Sequence, residues 1–394
     1  MRRSVRAPVV FRIGTGRFSP PHVRLLRGLA AFGTGLGLLL VVPGAHAWNV
    51  SRFDGRDYVR TSEVAEFYGI SPTVPAGEGE LVFHSDKRSL AFRSNTREAV
   101  INGLKHWLAF PVVARDGAHW VSRLDLSRTI EPALRPQLAT RPGAVRVVVL
   151  DAGHGGRDKG AVGPYQYEKN FTLDMARRVR DALDGQGAKV VLTRNTDVFI
   201  DLPERARIAN AYEDAIFVSL HFNAAANRAA QGFEIFAMTP RGAPSTQYEA
   251  LSARDMVGEK GNAHEVQSFL LASAVFHAMH GRLKMMDRGL KRARFAVLRL
   301  ADMPGILVEG GFLSNPLDAR RVASPQWRTR LAHAIAEGIL AYVRLANQRI
   351  APPLAADYRL PGSPNLRLFA PAITPTPAPP PSVGLRPLPE AGTE

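Results

Sequence analysis

The carboxyl-terminal half of the sequence alternates short apolar runs with longer amphipathic segments. The apolar runs read VRVVVLD, AKVVLTR, AIFVSLH, GFEIFAM and GILVEGG, and such runs are typical of strands buried on both faces. Between them, apolar residues recur every fourth position over 171–183, which predicts a helix. This alternation predicts an α/β fold over residues 142–347, with a mainly parallel twisted sheet flanked by helices on both faces.

Residues 48–141 follow a different pattern. Short apolar runs are separated by Asp-Gly and Asn-Gly turn signals, and VRTSEVAEFYGI predicts a short helix. We expect a small α+β module, which loosely resembles the copper-amine-oxidase-type amino-terminal module of some exported bacterial proteins. Its histidines, His84, His106 and His119, lack metal-ligand spacing, so we expect ordinary surface or boundary residues and no copper.

The two ends of the chain differ from the rest. Residues 1–47 contain an arginine-rich leader, the apolar run GLAAFGTGLGLLLVV and a small-residue cleavage pattern at Ala45 and Ala47, which together predict a secretory signal peptide. An uncleaved anchor is the alternative, but the run is short against the roughly 20 apolar residues of a membrane span. Residues 348–394 are rich in proline and predict a disordered tail.

The net charge and the absence of cysteine restrict the classes of partner and the kinds of metal site that the chain can have. The formal net charge of +16 becomes +9 once the seven arginines of the leader are removed. A basic exported chain suits an anionic wall polymer better than nucleic acid. Because the sequence contains no cysteine, disulfides and thiolate chemistry are excluded, and any metal site must use His, Asp or Glu.

The candidate catalytic and metal-binding residues lie at or just after the ends of predicted strands. His154 follows the first strand of this half, Glu168 begins the next helix, His221 ends a later strand with Asn223 just beyond, and Glu309 ends the last strand. Strand ends of an open α/β sheet meet at one edge. Two imidazoles and one carboxylate suit a hydrolytic zinc site with a free fourth position. Zinc lowers the pKa of bound water to about 7, and Glu309 would then act as general base.

The residues alone leave alternatives open. A single histidine after a strand is commonly structural, and a glycine-rich loop in the same place can cradle phosphate. The loop LDAGHGG lacks the Gly-Lys-Ser/Thr ending of a P-loop and the G-x-G-x-x-G order of a dinucleotide site.

Several motifs in succession carry a family resemblance. LDAGHGGRDKGAVG, VVLTRNTDVFIDLPERARIAN, AIFVSLHFNAA and MPGILVEGGFLSNPLDA resemble the signatures of zinc-dependent N-acetylmuramoyl-L-alanine amidases (amidase type 3), in order, over about half the chain. The resemblance implies a zinc exopeptidase-like fold, a Zn²⁺ ion held by His154, Glu168 and His221, and a catalytic Glu309. It also implies cleavage of the amide between N-acetylmuramic acid and L-alanine in peptidoglycan. Ala152 replaces the proline usual in the first motif, which removes no ligand.

Substrate contacts are expected from Asn223, Arg292 and Arg294. The two arginines belong to the run DRGLKRARFAVLR, which also holds Arg288 and Lys291 and which we expect to precede a strand. A basic rim that receives peptide carboxylates is one interpretation of this run, and a solvated basic loop is the other.

Other polar residues are assigned more weakly. Arg194, Glu204 and Arg205 would contact substrate or form a buried ion pair between helix and strand. His277 and His280, three apart on a predicted helix, are expected to be structural because no third ligand is near in sequence.

The sequence therefore predicts an exported peptidoglycan amidase of the periplasm or cell wall, without a membrane span after signal removal. A wall-targeting role is our hypothesis for residues 48–141. The segment 239–262 is too short for the long inhibitory helix of some division-linked family members, so strong autoinhibition is not expected, and a shorter gate from SARDMVGEKGNAHEVQ is the alternative. The alternatives are another zinc exopeptidase-like hydrolase, acting on a free peptide, and a non-catalytic wall-binding protein.

Overall fold

The computed structural model describes residues 48–73, 79–139 and 143–348. The predicted signal peptide and residues 349–394 of the predicted proline-rich tail lie outside the described residues. The structure has one sheet of eleven strands and one of four strands within these ranges.

The amino-terminal region is built mainly from short antiparallel strands. Its strands are β1 (Val50–Phe53), β2 (Arg56–Arg60), β3 (Ser71–Thr73), β4 (Glu80–His84), β5 (Ser89–Arg93), β6 (Glu98–Ile101), β7 (Leu104–Trp107), β8 (Val113–Arg115) and β9 (Ala118–Ser122). Its helices are α1 (Thr61–Tyr68), α2 (Arg123–Asp125), α3 (Glu131–Leu134) and α4 (Pro136–Ala139), with a π-helical turn over Leu126–Ile130. Helix α1 is the short helix that the sequence predicts.

Strands and longer helices alternate in the carboxyl-terminal region. The strands are β10 (Val147–Ala152), β11 (Lys189–Leu192), β12 (Ala215–Asn223), β13 (Phe233–Met238), β14 (Asp287–Ala293) and β15 (Gly305–Phe312). The helices are α5 (Glu168–Leu183), α6 (Leu202–Asn210), α7 (Glu265–Arg282), α8 (Ala296–Leu300), α9 (Pro316–Ala323) and α10 (Pro325–Gln348).

The larger sheet has the order β11-β10-β12-β15-β13-β14-β7-β6-β5-β4-β3. Strands β11, β10, β12 and β15 are parallel, β13 pairs antiparallel with β15, and β13, β14 and β7 are again parallel. Helices α5, α7 and α10 contribute buried residues to the core on one face, whereas α6 and α8 contribute to the core on the other. The predicted fold class, a mainly parallel sheet with helices on both faces, is confirmed for this region.

The sheet continues into the amino-terminal region. Strand β7 pairs with β14 at His106 and Leu290, and the indole Nε1 of Trp107 donates to the carbonyl oxygen of Arg288 at 3.0 Å. Arg292 also donates to the carbonyl oxygen of Arg128 at 2.6 Å. Strand pairing therefore crosses the predicted boundary near residue 141, and the assignment of separate domains stays a prediction.

One element prediction is wrong. The run DRGLKRARFAVLR is expected from the sequence to precede a strand, but its first part, Asp287–Ala293, is itself strand β14, and its end lies in helix α8. Because this segment is highly charged, the sequence does not predict that it is a strand between β13 and β7.

Candidate metal centre and active site

Three side chains that are distant in sequence meet where β10 and β12 end. The Nε2 atom of His154 lies 3.0 Å from Glu168 Oε2, and the Nδ1 atom of His221 lies 3.0 Å from Glu168 Oε1. One ligand atom from each residue lies within 4.8 Å of the others, and no other such His/Asp/Glu group occurs among the described residues. The structure thus brings together the three residues proposed from the sequence as metal ligands.

Glu168 is the buried centre of this group. It begins α5, and its carboxylate accepts backbone hydrogen bonds from Ala161 (2.8 Å) and Phe222 (3.1 Å). Burial would raise the pKa of Glu168, but hydrogen bonds and charge interactions with His154 and His221 lower it below its ordinary value. The carboxylate is therefore ionised and fixed in position, as a metal ligand requires.

His154 is held by its backbone and by its second ring nitrogen. Its φ of 61° lies in the left-handed region, which is uncommon for a residue other than glycine. Its Nδ1 atom lies 2.8 Å from Asp158 Oδ2, which directs Nε2 towards Glu168. Burial lowers the pKa of His154, but Glu168 and Asp158 raise it above the ordinary value on balance. The sequence interpretation missed Asp158, although it lies four residues after a candidate ligand.

Two glycines make room for the three side chains. A Cβ atom at Gly153 would lie 2.3 Å from Cε1 of His221. A Cβ atom at Gly160 would lie 2.6 Å from both Glu168 Oε2 and His154 Cδ2, at a backbone φ of 63°. The glycine-rich loop therefore lets the main chain approach the candidate ligands closely.

A buried ion pair between Arg205 and Asp151 stabilises the loop that holds His154. Arg205 of α6 lies 2.7 Å from Asp151 Oδ1, and both side chains are buried. The same guanidinium donates to the carbonyl oxygen of His154 at 2.7 Å. Arg194 donates to the carbonyl oxygens of Ala152 and Gly153 at 2.9 and 2.8 Å. For Arg205 the structure shows the buried ion pair that was one of the two sequence interpretations.

Glu309 lies beside the candidate ligands. It is the register partner of His221 across β12 and β15, so both side chains lie on one face of the sheet. Its Oε2 atom is buried and has no hydrogen-bond partner among the described residues. Burial, followed by the charges of Glu168 and Glu234, raises the pKa of Glu309 well above its ordinary value, and Lys291 opposes that rise.

Glu234 is a buried acid that the sequence interpretation missed. It is the register partner of Glu309 across β13 and β15. Its Oε1 atom accepts from Asn223 Nδ2 at 2.9 Å and lies 3.3 Å from Arg288 Nε, and its Oε2 atom contacts Lys291 Nζ. The signal available in the sequence was one acid inside the apolar run GFEIFAM.

The three residues expected to contact substrate, Asn223, Arg292 and Arg294, lie in different parts of the structure. Asn223 lies beside Glu234, close to Glu309. Arg292 is buried and donates to backbone oxygens of Met238 and Arg128. Contacts within the protein account for the hydrogen bonds of Arg292, and its role in substrate binding stays a prediction.

Arg294 lies away from the candidate ligands. It pairs with Asp255 at 2.8 Å, within the segment that follows β13. Because β13 runs antiparallel to β15, this segment leaves the sheet at the edge where β15 begins, opposite Glu309. Residues 239–262 form short 3₁₀ turns, at Ala253–Met256 and from Lys260, and no long helix. The role of Arg294 in substrate binding also stays a prediction.

Within the described residues, the other histidines singled out from the sequence lie outside this site. His106 is buried rather than at a surface or boundary as expected, and burial, with the charge of Arg292, lowers its pKa to about 3. His280 lies 3.5 Å from Asp287 across α7 and β14. Neither His277 nor His280 belongs to a group of potential metal ligands among the described residues.

The residues present fit a zinc ion by their chemistry. Two imidazoles and one carboxylate are a common ligand set of catalytic zinc, which leaves one position free. Two of the ligands are fixed by further contacts, His154 by Asp158 and Glu168 by two backbone amides, as metal ligands commonly are. A carboxyl group with a raised pKa, Glu309, lies on the adjoining strand. The arrangement can therefore activate water and move a proton beside it.

Comparisons with known proteins agree with this chemistry. Residues 148–341 match the family described as N-acetylmuramoyl-L-alanine amidase. The chain is 33% identical over 244 residues to N-acetylmuramoyl-L-alanine amidase AmiA of Escherichia coli K12, covering 56% of this chain and 84% of that protein. It is 34% identical over 242 residues to AmiC of Escherichia coli O6:H1, covering 55% of this chain but only 58% of that relative.

One solved structure with a related sequence is N-acetylmuramoyl-L-alanine amidase AmiC2 of Nostoc punctiforme. It is 32% identical, and the match covers 51% of this chain and 99% of that chain with a TM-score of 0.43. Within the described ranges of the present chain, no helix combines the length and apolar character needed to cross a membrane.

Proposed function

The chain belongs to the family of N-acetylmuramoyl-L-alanine amidases, and from this premise we propose that it hydrolyses the amide between N-acetylmuramic acid and L-alanine in peptidoglycan. The observation that carries the proposal is the meeting of His154, Glu168 and His221 beside Glu309. The family match covers the region that contains all four residues.

His154, Glu168 and His221 would hold a zinc ion. When bound, the ion supplies a Lewis acid and lowers the pKa of a water ligand to about 7. Glu168 contributes the anionic ligand, and its two backbone hydrogen bonds fix the carboxylate. Asp158 keeps His154 Nε2 directed inward, so the site is organised before substrate arrives.

Glu309 would move the proton. Its carboxylate takes a proton from the attacking water as the water oxygen bonds to the carbonyl carbon of the lactyl group. The carbon–nitrogen bond then breaks, and Glu309 returns the proton to the leaving nitrogen of L-alanine. A pKa raised by burial and neighbouring acids suits this role, because the group must both accept and donate a proton near neutral pH.

We assign the place of action to the periplasm or cell wall. The arginine-rich leader with its apolar run supports export, and the net charge of +9 left without the leader suits an anionic wall polymer. The proposed substrate, peptidoglycan, lies outside the cytoplasmic membrane, which also supports export.

Release of stem peptides from purified sacculi tests the function. Wild-type protein with zinc should release peptides with a free L-alanine amino terminus, and Glu309→Gln should release them at least about 100-fold more slowly, as expected for loss of a general base. Glu337→Gln is the matched control, because Glu337 pairs with Arg282 on the surface. It should act like wild type.

Two results would contradict the proposal. Equal activity of wild type and Glu309→Gln would remove Glu309 from the chemistry. Binding of wild-type protein to sacculi without any release would favour the non-catalytic wall-binding alternative, and cleavage only of free peptides would favour the exopeptidase-like alternative.

A further inference from the structure

A row of charged side chains extends from Glu309 across the neighbouring strands. Glu309 and Glu234 are register partners on β15 and β13, so their side chains lie on the same face of the sheet. Lys291 lies on β14, where it pairs in register with Phe236 of β13. Adjacent strands are about 4.8 Å apart, so the basic groups on β14 are roughly 10 Å from the backbone of Glu309.

The acid in this row is enclosed, whereas the bases keep access to solvent. The side chain of Glu234 is 4% exposed, but those of Arg288 and Lys291 are 22% and 16% exposed. The Arg288 guanidinium also lies over the ring of Phe312, at 4.9 Å from its centroid, which restricts its position. Glu234 thus anchors two cations whose outer surfaces remain available.

The charges do not cancel. One buried carboxylate faces two basic groups, and the acid nearest in sequence, Asp287, accepts from the backbone of Gly289 and lies beside His280. Around Glu234, two cations therefore share one carboxylate, and this excess of positive charge suits an anionic group of the substrate.

We propose that Arg288 and Lys291, held by Glu234, form a subsite for a free carboxylate of the stem peptide close to the cleaved amide. This inference rests on the proposed function and names a substrate preference of the same site. An extended peptide advances about 3.5 Å per residue, so a carboxylate on the residue after L-alanine would reach the subsite from an amide beside Glu309. Arginine and lysine bind carboxylates by charge-assisted hydrogen bonds.

A purely structural role for Arg288 and Lys291 predicts a different substrate preference. If Arg288 and Lys291 only neutralised Glu234, the enzyme would not distinguish a free carboxylate from its amide at this position of the stem. The subsite predicts that amidation removes a charge-assisted hydrogen bond and slows cleavage. The two explanations therefore differ in substrate preference.

The test compares two N-acetylmuramoyl tripeptides that differ only in whether the α-carboxyl group of the second residue, D-glutamate, is free or amidated. We expect wild-type protein to cleave the free acid with kcat/KM about tenfold higher, the effect of roughly one charge-assisted hydrogen bond. Lys291→Met and Arg288→Gln should each lose most of this preference, mainly through KM for the free acid. Lys291→Arg should retain it.

Lys105→Met is the matched control, because Lys105 is similarly exposed on the neighbouring strand and pairs with Glu98 at 2.7 Å. It should keep the wild-type preference. Equal cleavage of the two substrates by wild type would overturn the subsite while leaving the proposed function intact. A preference that persists unchanged in both Lys291→Met and Arg288→Gln would overturn it as well. Cleavage of neither substrate by wild type would count against the proposed function itself, and the subsite would fall with it.

Discussion

Gly153 lies directly against the ring of His221, and a Cβ atom at residue 153 would come within 2.3 Å of Cε1, 2.5 Å of Nε2 and 2.7 Å of Nδ1. The loop after β10 and the end of β12 therefore approach each other more closely than any other residue type would permit. The position of one candidate ligand depends on the absence of a side chain on another segment.

Gly153→Ala should displace His221 and weaken zinc binding, by about 10-fold or more, while the protein stays folded. The physical reason is that metal–ligand distances of about 2 Å tolerate little movement of a ligand. Competition with a zinc chelator measures the affinity. Gly281→Ala is the control, because a Cβ atom there meets nothing within 4 Å. Unchanged zinc affinity in Gly153→Ala would show that the ring of His221 can move without consequence.

Asp158→Asn should weaken zinc binding by about 10- to 100-fold, the range typical of residues that orient a metal ligand. The variant removes the carboxylate that lies 2.8 Å from Nδ1 of His154. Asp181→Asn serves as comparison, since Asp181 forms an exposed pair with Arg180. If both variants bound zinc like wild type, Asp158 would have no part in orienting His154.

Asp151→Asn should lower the free energy of unfolding by about 3–5 kcal/mol, because it leaves the buried guanidinium of Arg205 without its counter-charge. Urea unfolding measures this change. Burial would raise the pKa of Asp151, but Arg205, Thr193 and Ser219 lower it on balance. The stabilisation should therefore be complete at neutral pH and be lost as the pH falls below about 4.

The matched variant for Asp151→Asn is Glu204→Gln, which breaks the exposed pair with Arg207. Exposed pairs contribute little, so its unfolding curve should overlay that of wild type. Equal stability of Asp151→Asn and wild type at pH 7 would show that the ion pair between Asp151 and Arg205 does not stabilise the folded protein.

His106 should make the protein sensitive to mild acid. Its pKa is lowered to about 3 by burial and by Arg292, whereas an unfolded histidine has a pKa of about 6.5. The unfolded state therefore binds the extra proton first, and stability should fall as the pH drops from about 6.5 towards 3. In His106→Leu this fall should be shallower. An identical pH dependence of thermal unfolding in the two proteins would argue against it.

The approach of the candidate ligands could be predicted from sequence for a simple physical reason, whereas their choice as a zinc site also depended on the family resemblance. Short apolar runs fix the strands, and parallel strands bring their carboxyl ends to one edge, so His221 and the loop holding His154 had to approach each other. The start of α5 then carried Glu168 to the same edge. These relationships depend on local patterns that the sequence displays.

Other parts of the site could not be predicted in this way. Glu234 reads as one acid in an apolar run, and its role depends on its antiparallel pairing with β15 next to Glu309. Strand β14 is too charged to resemble a buried strand, and the acid that pairs with both Arg288 and Lys291, Glu234, lies 54 and 57 positions earlier in the sequence. The pairing of β14 with β7 joins residues about 180 positions apart, so no local sequence pattern predicts this pairing.

Zinc content measured by mass spectrometry on the purified protein tests whether His154, Glu168 and His221 together hold a metal ion. We expect one zinc ion per wild-type chain, its loss in His154→Ala, Glu168→Ala and His221→Ala, and its retention in Glu309→Gln, where the changed residue is a neighbour and not a ligand. Wild-type protein that binds no zinc even when zinc is added, or variants of the three ligands that keep the wild-type zinc content, would contradict this expectation.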